Sequence, residues 1–354
     1  MIPSVHSQIQ LLTRLEADLT NATRIAAQSI QPPFTPRQRL AIQTAFAPCL
    51  QLHSKINLIL NPLLWSPDLR DLRHTDPIRR CLDGITRRLT HWNTTYRLLT
   101  RVIRAPKIPL PTLQPAADSP IARQLLAFDT LLYRLHYQLG PVQNKNALLA
   151  GHHDDIPMAF TRFLQLAQFA RRLALAVGGA APLSFLDVGC GIGLKIAGAA
   201  QFFEIARGFD YDKSRLPIAK RLAHHPDRPD DRAFHADGLT FDGYGNYDVI
   251  YAYQPMADEA RQIQMDRHIA ATCRPGTVLI MPHVQFQYRH ADYGCHPVTG
   301  PVYLAGCDER HAKPILRRLA HIGHIVPKPT AQRCRDESLA TPLCNALRRV
   351  GHLE

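Results

Sequence analysis

Residues 185–196 read FLDVGCGIGLKI, and this stretch decides the fold. Phe-Leu-Asp-Val is short and apolar enough for a buried strand, and residues 194–203 have the spacing of a helix that packs on a sheet. Gly189, Gly191 and Gly193 therefore lie on a strand-to-helix turn. Because glycine lacks a Cβ, such a turn lets the backbone approach a ligand closely, and the free N–H groups of the helix N-terminus point at any negative group bound there.

The sequence after this turn alternates between strand-like and helical segments. Apolar runs that read as strands fall at 205–212, 232–236, 247–253 and 277–281, and helical spacing falls at 214–223 and 259–272. Such alternation predicts a doubly wound, mostly parallel sheet with helices on both faces. In a sheet of this kind, ligands bind outside the carboxyl ends of the strands, at the switch point.

The glycine pattern distinguishes between two classes of ligand. A dinucleotide fingerprint needs G-x-G-x-x-G, but the sixth position is Leu194 counted from Gly189, and Ile196 counted from Gly191. The dinucleotide interpretation therefore fails at its third glycine. The chain has D-V-G-C-G-I-G instead, with an acid two residues before G-x-G-x-G. In these residues it resembles the first motif of the class I S-adenosylmethionine-dependent methyltransferases.

The resemblance covers about residues 150–306 and implies S-adenosyl-L-methionine as cofactor. In this family the second strand ends in an acid that holds the ribose hydroxyls, which maps to Asp210, and an acid near the adenine amino group maps to Asp237. Taken singly, these acids could also be ordinary loop carboxylates, and Asp187 a helix-capping partner. The implied cofactor-binding set is Asp187, Gly189, Cys190, Gly191, Gly193, Asp210, Tyr211, Asp237, Gly238 and Tyr253.

The fourth strand of the family ends beside the transferred methyl group, and here it is followed by Tyr253-Gln254-Pro255-Met256. The branch that methylates planar or amide nitrogens has Asn/Asp-Pro-Pro-aromatic at this place. This chain keeps an amide and one proline, so adenine or glutamine-amide methylation is disfavoured. We expect Tyr253, Gln254 and Pro255 to position the acceptor, with ordinary strand packing as the alternative for Tyr253 and for Tyr251. The family also implies a closing antiparallel hairpin whose last strand is Pro301 to Ala305.

Histidines near the predicted sheet are candidates for a base or a metal ligand. The densest cluster is GHHDD at 151–155, just before a helix expected to begin at Pro157. His153 or Asp155 could line the site, but the two acids are better explained as favouring that helix N-terminus. Because spacing places no third ligand, we expect no metal. Further candidates past the fifth strand are His283, with a surface histidine as the alternative, and a loop with Arg289, His290 and Tyr293.

The chain before the turn has a different character. Apolar residues spaced by three and four predict a long helix over 77–104 with seven arginines off its stripe, and an earlier stripe runs from Val5 to Leu19. A solvated bundle face explains the arginines better than a binding surface does, although a binding surface stays open as the alternative. The predicted segments are a helical basic domain at 1–104, a Pro-rich linker at 105–120, helices at 121–180, the methyltransferase domain at 181–306 and a basic, partly helical extension at 307–354.

Composition limits the possible partners and the location. The net charge is +13, and residues 1–150 carry 18 Lys and Arg against 8 Asp and Glu, which allows polyanion contact through the N-terminal helices. Eight dispersed cysteines and the lack of a long apolar run favour a reduced, cytoplasmic protein without a membrane segment. We therefore expect a methyltransferase that acts on an N or O nucleophile positioned by the N-terminal domain. The acceptor, whether small molecule, protein or RNA, stays open. The alternative is a catalytically lapsed fold acting as a helical docking or polyanion-binding module.

Overall fold

A computed structural model describes residues 5–70, 76–109, 120–154, 156, 158–178, 182–224, 232–326 and 339–353. The chain divides into two compact units, one of Met1–Lys107 with Pro327–Glu354 and one of Ile108–Val326. Within the described ranges, no helix has the length and apolar character needed to cross a membrane.

The described elements alternate as the sequence predicts from the glycine turn onward. The helices are α1 (Val5–Ala27), α2 (Pro36–Trp65), α3 (Pro67–Arg70), α4 (Pro77–Arg104), α5 (Pro120–Leu139), α6 (Lys145–Leu149), α7 (Phe160–Val177), α8 (Leu194–Ala199), α9 (Leu216–Leu222), α10 (Glu259–Thr272), α11 (Val284–Arg289), α12 (Glu309–Leu319) and α13 (Thr341–Arg349). The strands are β1 (Ser184–Val188), β2 (Ile205–Asp210), β3 (Ala233–His235), β4 (Val249–Ala252), β5 (Val278–Ile280), β6 (His296–Thr299) and β7 (Val302–Leu304).

The first unit is a helical bundle whose core contains the predicted stripe of α4. Trp92 is fully buried, donates its indole N–H to Thr23 Oγ1 at 2.9 Å and stacks on Tyr96 with 5.4 Å between ring centroids. Helix α4 begins at Asp76, whose carboxylate accepts the N–H groups of the first turn, and Pro77 takes the first helical position. A bundle core of this kind needs a helix with one continuous apolar face, which the three- and four-residue spacing supplies.

The C-terminal segment 307–354, predicted as one extension, is divided between the two units. Helix α13 belongs to the bundle because Leu343 and Leu347 join its core. Helix α12 packs on α7 in the second unit, where an arginine of each helix binds carbonyl groups at the C-terminal end of the other. The Arg172 side chain donates to the Leu319 and Ile322 carbonyls, and Arg318 donates to the carbonyls at the end of α7. Apolar periodicity alone does not show with which core a short helix will pack.

The second unit contains a seven-stranded sheet in the order β3-β2-β1-β4-β5-β7-β6. The first five strands are parallel, and β7 runs antiparallel to both β5 and β6, as the predicted hairpin requires. The winding direction reverses between β1 and β4, which makes their carboxyl ends the switch point. One face of the sheet packs on α10 through Met265 and Ile269. The other face packs on α7, where the ring centroids of Phe163 and Phe185 lie 6.0 Å apart.

Several boundaries differ from the predicted ones. Helix α8 ends at Ala199 rather than near Phe203, whose ring is buried against Phe185 instead of continuing the helix. Helix α7 begins at Phe160 and ends at Gly178, which takes the left-handed conformation at φ 119°. Its predicted start at Pro157 lies outside the described residues. The prediction of α10 at 259–272 agrees with the structure, because Asp258 caps it by accepting the Arg261 N–H.

Candidate cofactor-binding site

A cleft of about 700 Å³, open to solvent, lies outside the carboxyl ends of β1, β2 and β4. Its size falls within the roughly 300–1,000 Å³ range of small-molecule sites. Of the predicted site residues, those that line it are Gly189, Asp210, Tyr211, Gly238, Tyr253, Gln254 and Pro255. Those that lie behind this lining are Asp187, Cys190, Gly191, Gly193 and Asp237. The sequence therefore brings the ends of three strands to one cleft.

The glycine turn depends on conformations that other residues adopt at a cost. Gly189, Gly191 and Gly193 have φ values of 75°, 53° and 85°. A Cβ on Gly189 would lie 3.0 Å from Pro255 Cβ, and one on Gly193 would lie 2.9 Å from Ala219 Cα. Gly189 is thus exposed to the cleft and pressed against the segment after β4, whereas Gly193 is needed for contact with α9.

Two side chains of the turn region are buried rather than exposed to a ligand. Cys190 is 4% exposed, and burial raises the pKa of its thiol well above the usual value, so it stays neutral and fills space. Asp187 is 1% exposed at the end of β1. Their predicted roles in cofactor binding stay predictions, and any role of theirs acts through the position of the turn.

Asp210 is the predicted ribose acid, and it ends β2 inside the cleft. Its Oδ2 accepts the Gly191 N–H at 2.8 Å, and its Oδ1 accepts the Asp212 N–H at 2.8 Å. Burial raises the pKa of this carboxyl above its usual value, and the two N–H groups oppose the rise. Each oxygen keeps further acceptor capacity, which a pair of hydroxyl groups could use.

The segment 143–154, which we call the strap, connects two walls of the cleft. On one wall Asn144 N–H donates to Asp212 Oδ2 at 2.8 Å. On the other, His153 N–H donates to the Pro255 carbonyl at 3.0 Å, and Ala257 N–H donates to the Gly151 carbonyl at 2.8 Å. The strap therefore runs antiparallel to the segment that follows β4.

Side chains fix the strap internally and to α9. The Gln143 amide donates to the His152 and His153 carbonyls at 3.2 and 2.8 Å. Asp154 pairs with the buried guanidinium of Arg215 at 2.6 Å, so it does not favour the start of α7 as the sequence predicted. The same prediction for Asp155 lies outside the described residues. His153 lines the cleft, in agreement with the weaker alternative in the sequence analysis.

Two aromatic rings meet at the side of the cleft that contains Asp210. His152 stacks on Tyr211 with 4.3 Å between centroids and 20° between planes. Burial lowers the pKa of His152, while the charges of Asp237 and Asp212 oppose the change, so the imidazole is neutral at pH 7. The pair gives the cleft a flat aromatic surface beside Asp210.

The end of β3 forms the far wall. Asp237 Oδ1 accepts the Leu239 N–H at 2.9 Å, which makes it a turn-forming carboxylate. A Cβ on Gly238 would lie 2.7 Å from Met265 Cε, so the backbone here approaches α10 closely. The role of Asp237 near an adenine amino group stays a prediction. Because Leu239 contacts only Oδ1, the Oδ2 atom could accept a hydrogen bond from such an amino group.

The segment after β4 has an unusual backbone. Gln254 has φ 46°, and among the described residues no other non-glycine has a positive φ. Such strain at the wall of a cleft is typical of functional positions. A buried hydrogen-bond network holds the backbone just after Gln254. Met256 N–H donates to Gln262 Oε1 at 3.0 Å, and Gln262 Nε2 donates to Asp266 Oδ1 at 2.8 Å.

The remaining candidates past β5 do not line the cleft. His283 is buried rather than on the surface, caps α11 through the Phe286 N–H and lies 3.4 Å from Asp266. His290 packs 5.2 Å from Tyr303 and Tyr293 packs 5.5 Å from Phe286, so both belong to the core side of the sheet. Arg289 is the last residue of α11, and not part of a loop.

Sequence reasoning missed several lining residues. They are Gln143, Ala147, Ile156, Val188, Lys195, Phe209, Asp212, Arg215, Ala236 and Met265. Lys195 was the most accessible to sequence analysis, because it follows the glycine turn directly. Within the described ranges, no group of three or more His, Cys, Asp or Glu side chains is placed to hold a metal ion.

The strand order, the antiparallel β7 and the glycine turn between β1 and α8 agree with the doubly wound, mostly parallel sheet and closing hairpin that the sequence predicts. No protein-family model matches the chain. No curated protein sequence matches it either.

Several solved structures similar to the chain are methyltransferases at low identity, and another is described as a [4+2]-cyclase. An amino pentose methyltransferase from Micromonospora echinaspora, bound to S-adenosylmethionine, is 22% identical over 38% of this chain and 59% of that chain, with a TM-score of 0.29. The magnesium protoporphyrin IX methyltransferase from Synechocystis PCC 6803 is 17% identical over 54% and 97%, with a TM-score of 0.31. An N-methyltransferase from Bradyrhizobium japonicum WM9 is 17% identical over 52% and 83%, with a TM-score of 0.30. The match thus spans less than two thirds of the first of these proteins.

Proposed function

We propose that the chain is an S-adenosyl-L-methionine-dependent methyltransferase that transfers a methyl group to an N or O nucleophile. The observation that carries this proposal is the Asp210 carboxylate, held in the cleft by the N–H groups of Gly191 and Asp212. A carboxylate fixed in this way is an acceptor for the two ribose hydroxyls, and its position at the end of β2 is the one that the family resemblance implies.

The other residues of the cleft match the remaining groups of this cofactor. The cofactor carries a sulfonium cation, an amino acid end, a ribose and an adenine, but no phosphate. Tyr211 and His152 offer an aromatic surface for the adenine, and Lys195 offers an ammonium group for the carboxylate of the amino acid end. Gly189 allows close approach because a side chain there would meet Pro255.

The bound cofactor would supply an electrophilic methyl group, and the protein's part is to position the acceptor and to exclude water. The side-chain amide of Gln254 can accept a hydrogen bond from, or donate one to, an amine or hydroxyl. Its left-handed backbone conformation sets the direction in which this side chain leaves the main chain. Tyr251 and Tyr253 line the same wall, and the Tyr251 hydroxyl lies 3.0 Å from Met158 Sδ. We assign no dedicated base.

The acceptor and its delivery are the finer parts of the proposal. We propose that the helical unit recruits or orients the acceptor, because most of the excess positive charge of the chain lies in residues 1–150, with 18 Lys and Arg against 8 Asp and Glu. The seven described cysteines are free thiols, which supports a reducing, cytoplasmic location. A small molecule, a protein and an RNA are all compatible with a methyl transfer at this cleft.

Calorimetric titration tests the proposal, with S-adenosylmethionine, S-adenosylhomocysteine and, as control ligand, NAD. We expect binding of the first two alone, followed by methylation of an acceptor from a panel screened with labelled cofactor. Asp242→Asn is the matched control for Asp210→Asn, since Asp242 is an exposed acid of the same unit outside the cleft. Equal binding of NAD, or no binding of either sulfur ligand, would overturn the site. Binding without any methyl transfer would favour the lapsed docking module.

A further inference from the structure

The outer face of α4 carries the most concentrated positive charge in the helical unit. Five exposed arginines define what we call the arginine face: Arg80, Arg87, Arg97, Arg101 and Arg104. At 3.6 residues per turn they fall within an arc of about 120°, opposite the buried stripe, and they extend over roughly 36 Å of the helix axis. The face is thus a long, narrow strip of charge rather than a scatter of single residues.

The acids of the unit do not neutralise this strip. Asp83 is the one acid within α4, and it pairs with Arg79 at 3.2 Å. Glu16 is buried and binds Arg88 through two hydrogen bonds of 3.0 and 2.8 Å. Asp76 caps the helix. The structure shows no ion pair for the five arginines of the face among the residues it describes, so their charge is available to an external anion.

The polarity of α4 distinguishes between two kinds of anionic surface. A helix that lies on a membrane buries an apolar face between lipid headgroups. The large apolar side chains of α4 instead pack in the bundle core or partly against it, and none of them is exposed. Guanidinium groups bind phosphate oxygens through two parallel hydrogen bonds, and a nucleic acid presents phosphates continuously along a strip of this length.

From these observations we propose that the arginine face of α4 binds the phosphate backbone of a nucleic acid. This function goes beyond methyl transfer and does not depend on it. Five backbone contacts predict a slope of about −4.5 in log K against log salt for a duplex, and about −3.5 for a single strand. For the duplex, raising salt from 50 to 200 mM should then weaken binding on the order of 500-fold.

The proposal is tested by measuring binding with fluorescence anisotropy. The labelled probes are a single-stranded RNA of 20 nucleotides and duplexes of RNA and of DNA of 20 base pairs. The variant Arg80→Gln/Arg87→Gln/Arg97→Gln removes three charges while keeping good helix formers and sparing the last turn. Its matched control is Arg310→Gln/Lys313→Gln/Arg317→Gln, which removes three exposed charges from α12. Comparing the three probes shows which nucleic acid supplies the phosphates.

We expect the α4 variant to make the salt slope shallower by about 2 to 3, and the α12 variant to leave it nearly unchanged. No binding of any probe at 50 mM salt would overturn the proposal. So would an equal effect of the two variants, since net charge alone would then explain the binding. A third refutation is binding of anionic phospholipid vesicles that depends on the same arginines while the nucleic acid probes do not bind. Thermal unfolding of both variants excludes loss of structure as the cause.

Discussion

Replacing Asp210 with asparagine tests the central contact of the cleft. Hydrogen bonds to a charged group contribute roughly 1 to 2 kcal/mol more than neutral ones. If two ribose hydroxyls bind Asp210, the substitution should therefore reduce the binding free energy by about 2 to 4 kcal/mol. At 1.4 kcal/mol per tenfold, this is a 30- to 700-fold weaker affinity for S-adenosylhomocysteine. Calorimetry measures this loss directly, and the Asp242→Asn variant should bind like the unmodified protein.

The substitution also disturbs the turn, and that effect has to be separated from the lost ligand contact. An asparagine directs its NH₂ group at either the Gly191 or the Asp212 N–H, and the donor left without an acceptor costs about 1 to 3 kcal/mol of stability. Comparing S-adenosylhomocysteine with its 2′-deoxy analogue in both proteins separates the two effects. The missing hydroxyl should weaken binding to the unmodified protein and have little effect in the variant. Equal effects in both would refute the assignment of Asp210 to the ribose.

The same residue predicts a pH dependence with a definite sign. Burial raises the pKa of Asp210 in the folded protein, so folding is favoured below the ordinary carboxyl pKa and loses this contribution as pH rises through the raised value. Ribose hydroxyls favour the charged carboxylate, so the affinity for S-adenosylhomocysteine should fall as pH is lowered from neutral through the raised pKa of Asp210. The asparagine variant should lose this dependence. An affinity of the unmodified protein that stays constant over this range would contradict the reasoning.

Three further substitutions test the turn, the bundle and the strained residue. Gly193→Ala should cost about 2 to 4 kcal/mol in urea unfolding, because φ is 85° and the new Cβ meets backbone at 2.9 Å; Gly294→Ala, with φ 67° and open space, should cost only about 1 to 2. Thr23→Val should cost about 1 to 3 kcal/mol, since it leaves the buried Trp92 indole N–H without its acceptor, and an unchanged unfolding midpoint would contradict this. Gln254→Asn should keep or raise stability by up to about 1 kcal/mol, because asparagine tolerates φ 46° better, while labelled-methyl transfer falls. Unaltered transfer would remove Gln254 from the acceptor wall.

The parts of the fold that the sequence predicted correctly are those encoded by neighbours in the chain. The glycine turn is one, because positive φ at Gly189, Gly191 and Gly193 is a property of the glycines themselves. Helix α10 is another, because its cap at Asp258 lies directly before it. The doubly wound, mostly parallel sheet and its closing antiparallel hairpin were also predicted, and the structure confirms both.

The parts that the sequence did not predict depend on pairs far apart in the chain. Asp154 was interpreted as part of a helix start, but its partner Arg215 lies 61 residues away. His283 was a candidate base with a surface histidine as the alternative, yet Asp266 and Phe286 hold it in the core. Local patterns describe which residue types stand near each other in sequence, whereas such ion pairs and buried hydrogen bonds are set by how the helices pack on the sheet.

The strap links the two walls of the cleft through hydrogen bonds. On one side the Asn144 N–H donates to the Asp212 carboxylate, and on the other the strap backbone pairs with that of Pro255 and Ala257. Gln143 ties its two ends together. We therefore expect a displacement at the Asp210 side of the cleft to shift the segment that contains Gln254, without any contact between cofactor and acceptor. Since Gln254 is held in a strained conformation, a small shift of this segment changes where its amide points. The affinities for the two substrates should for this reason be coupled, and the strap is the element that couples them.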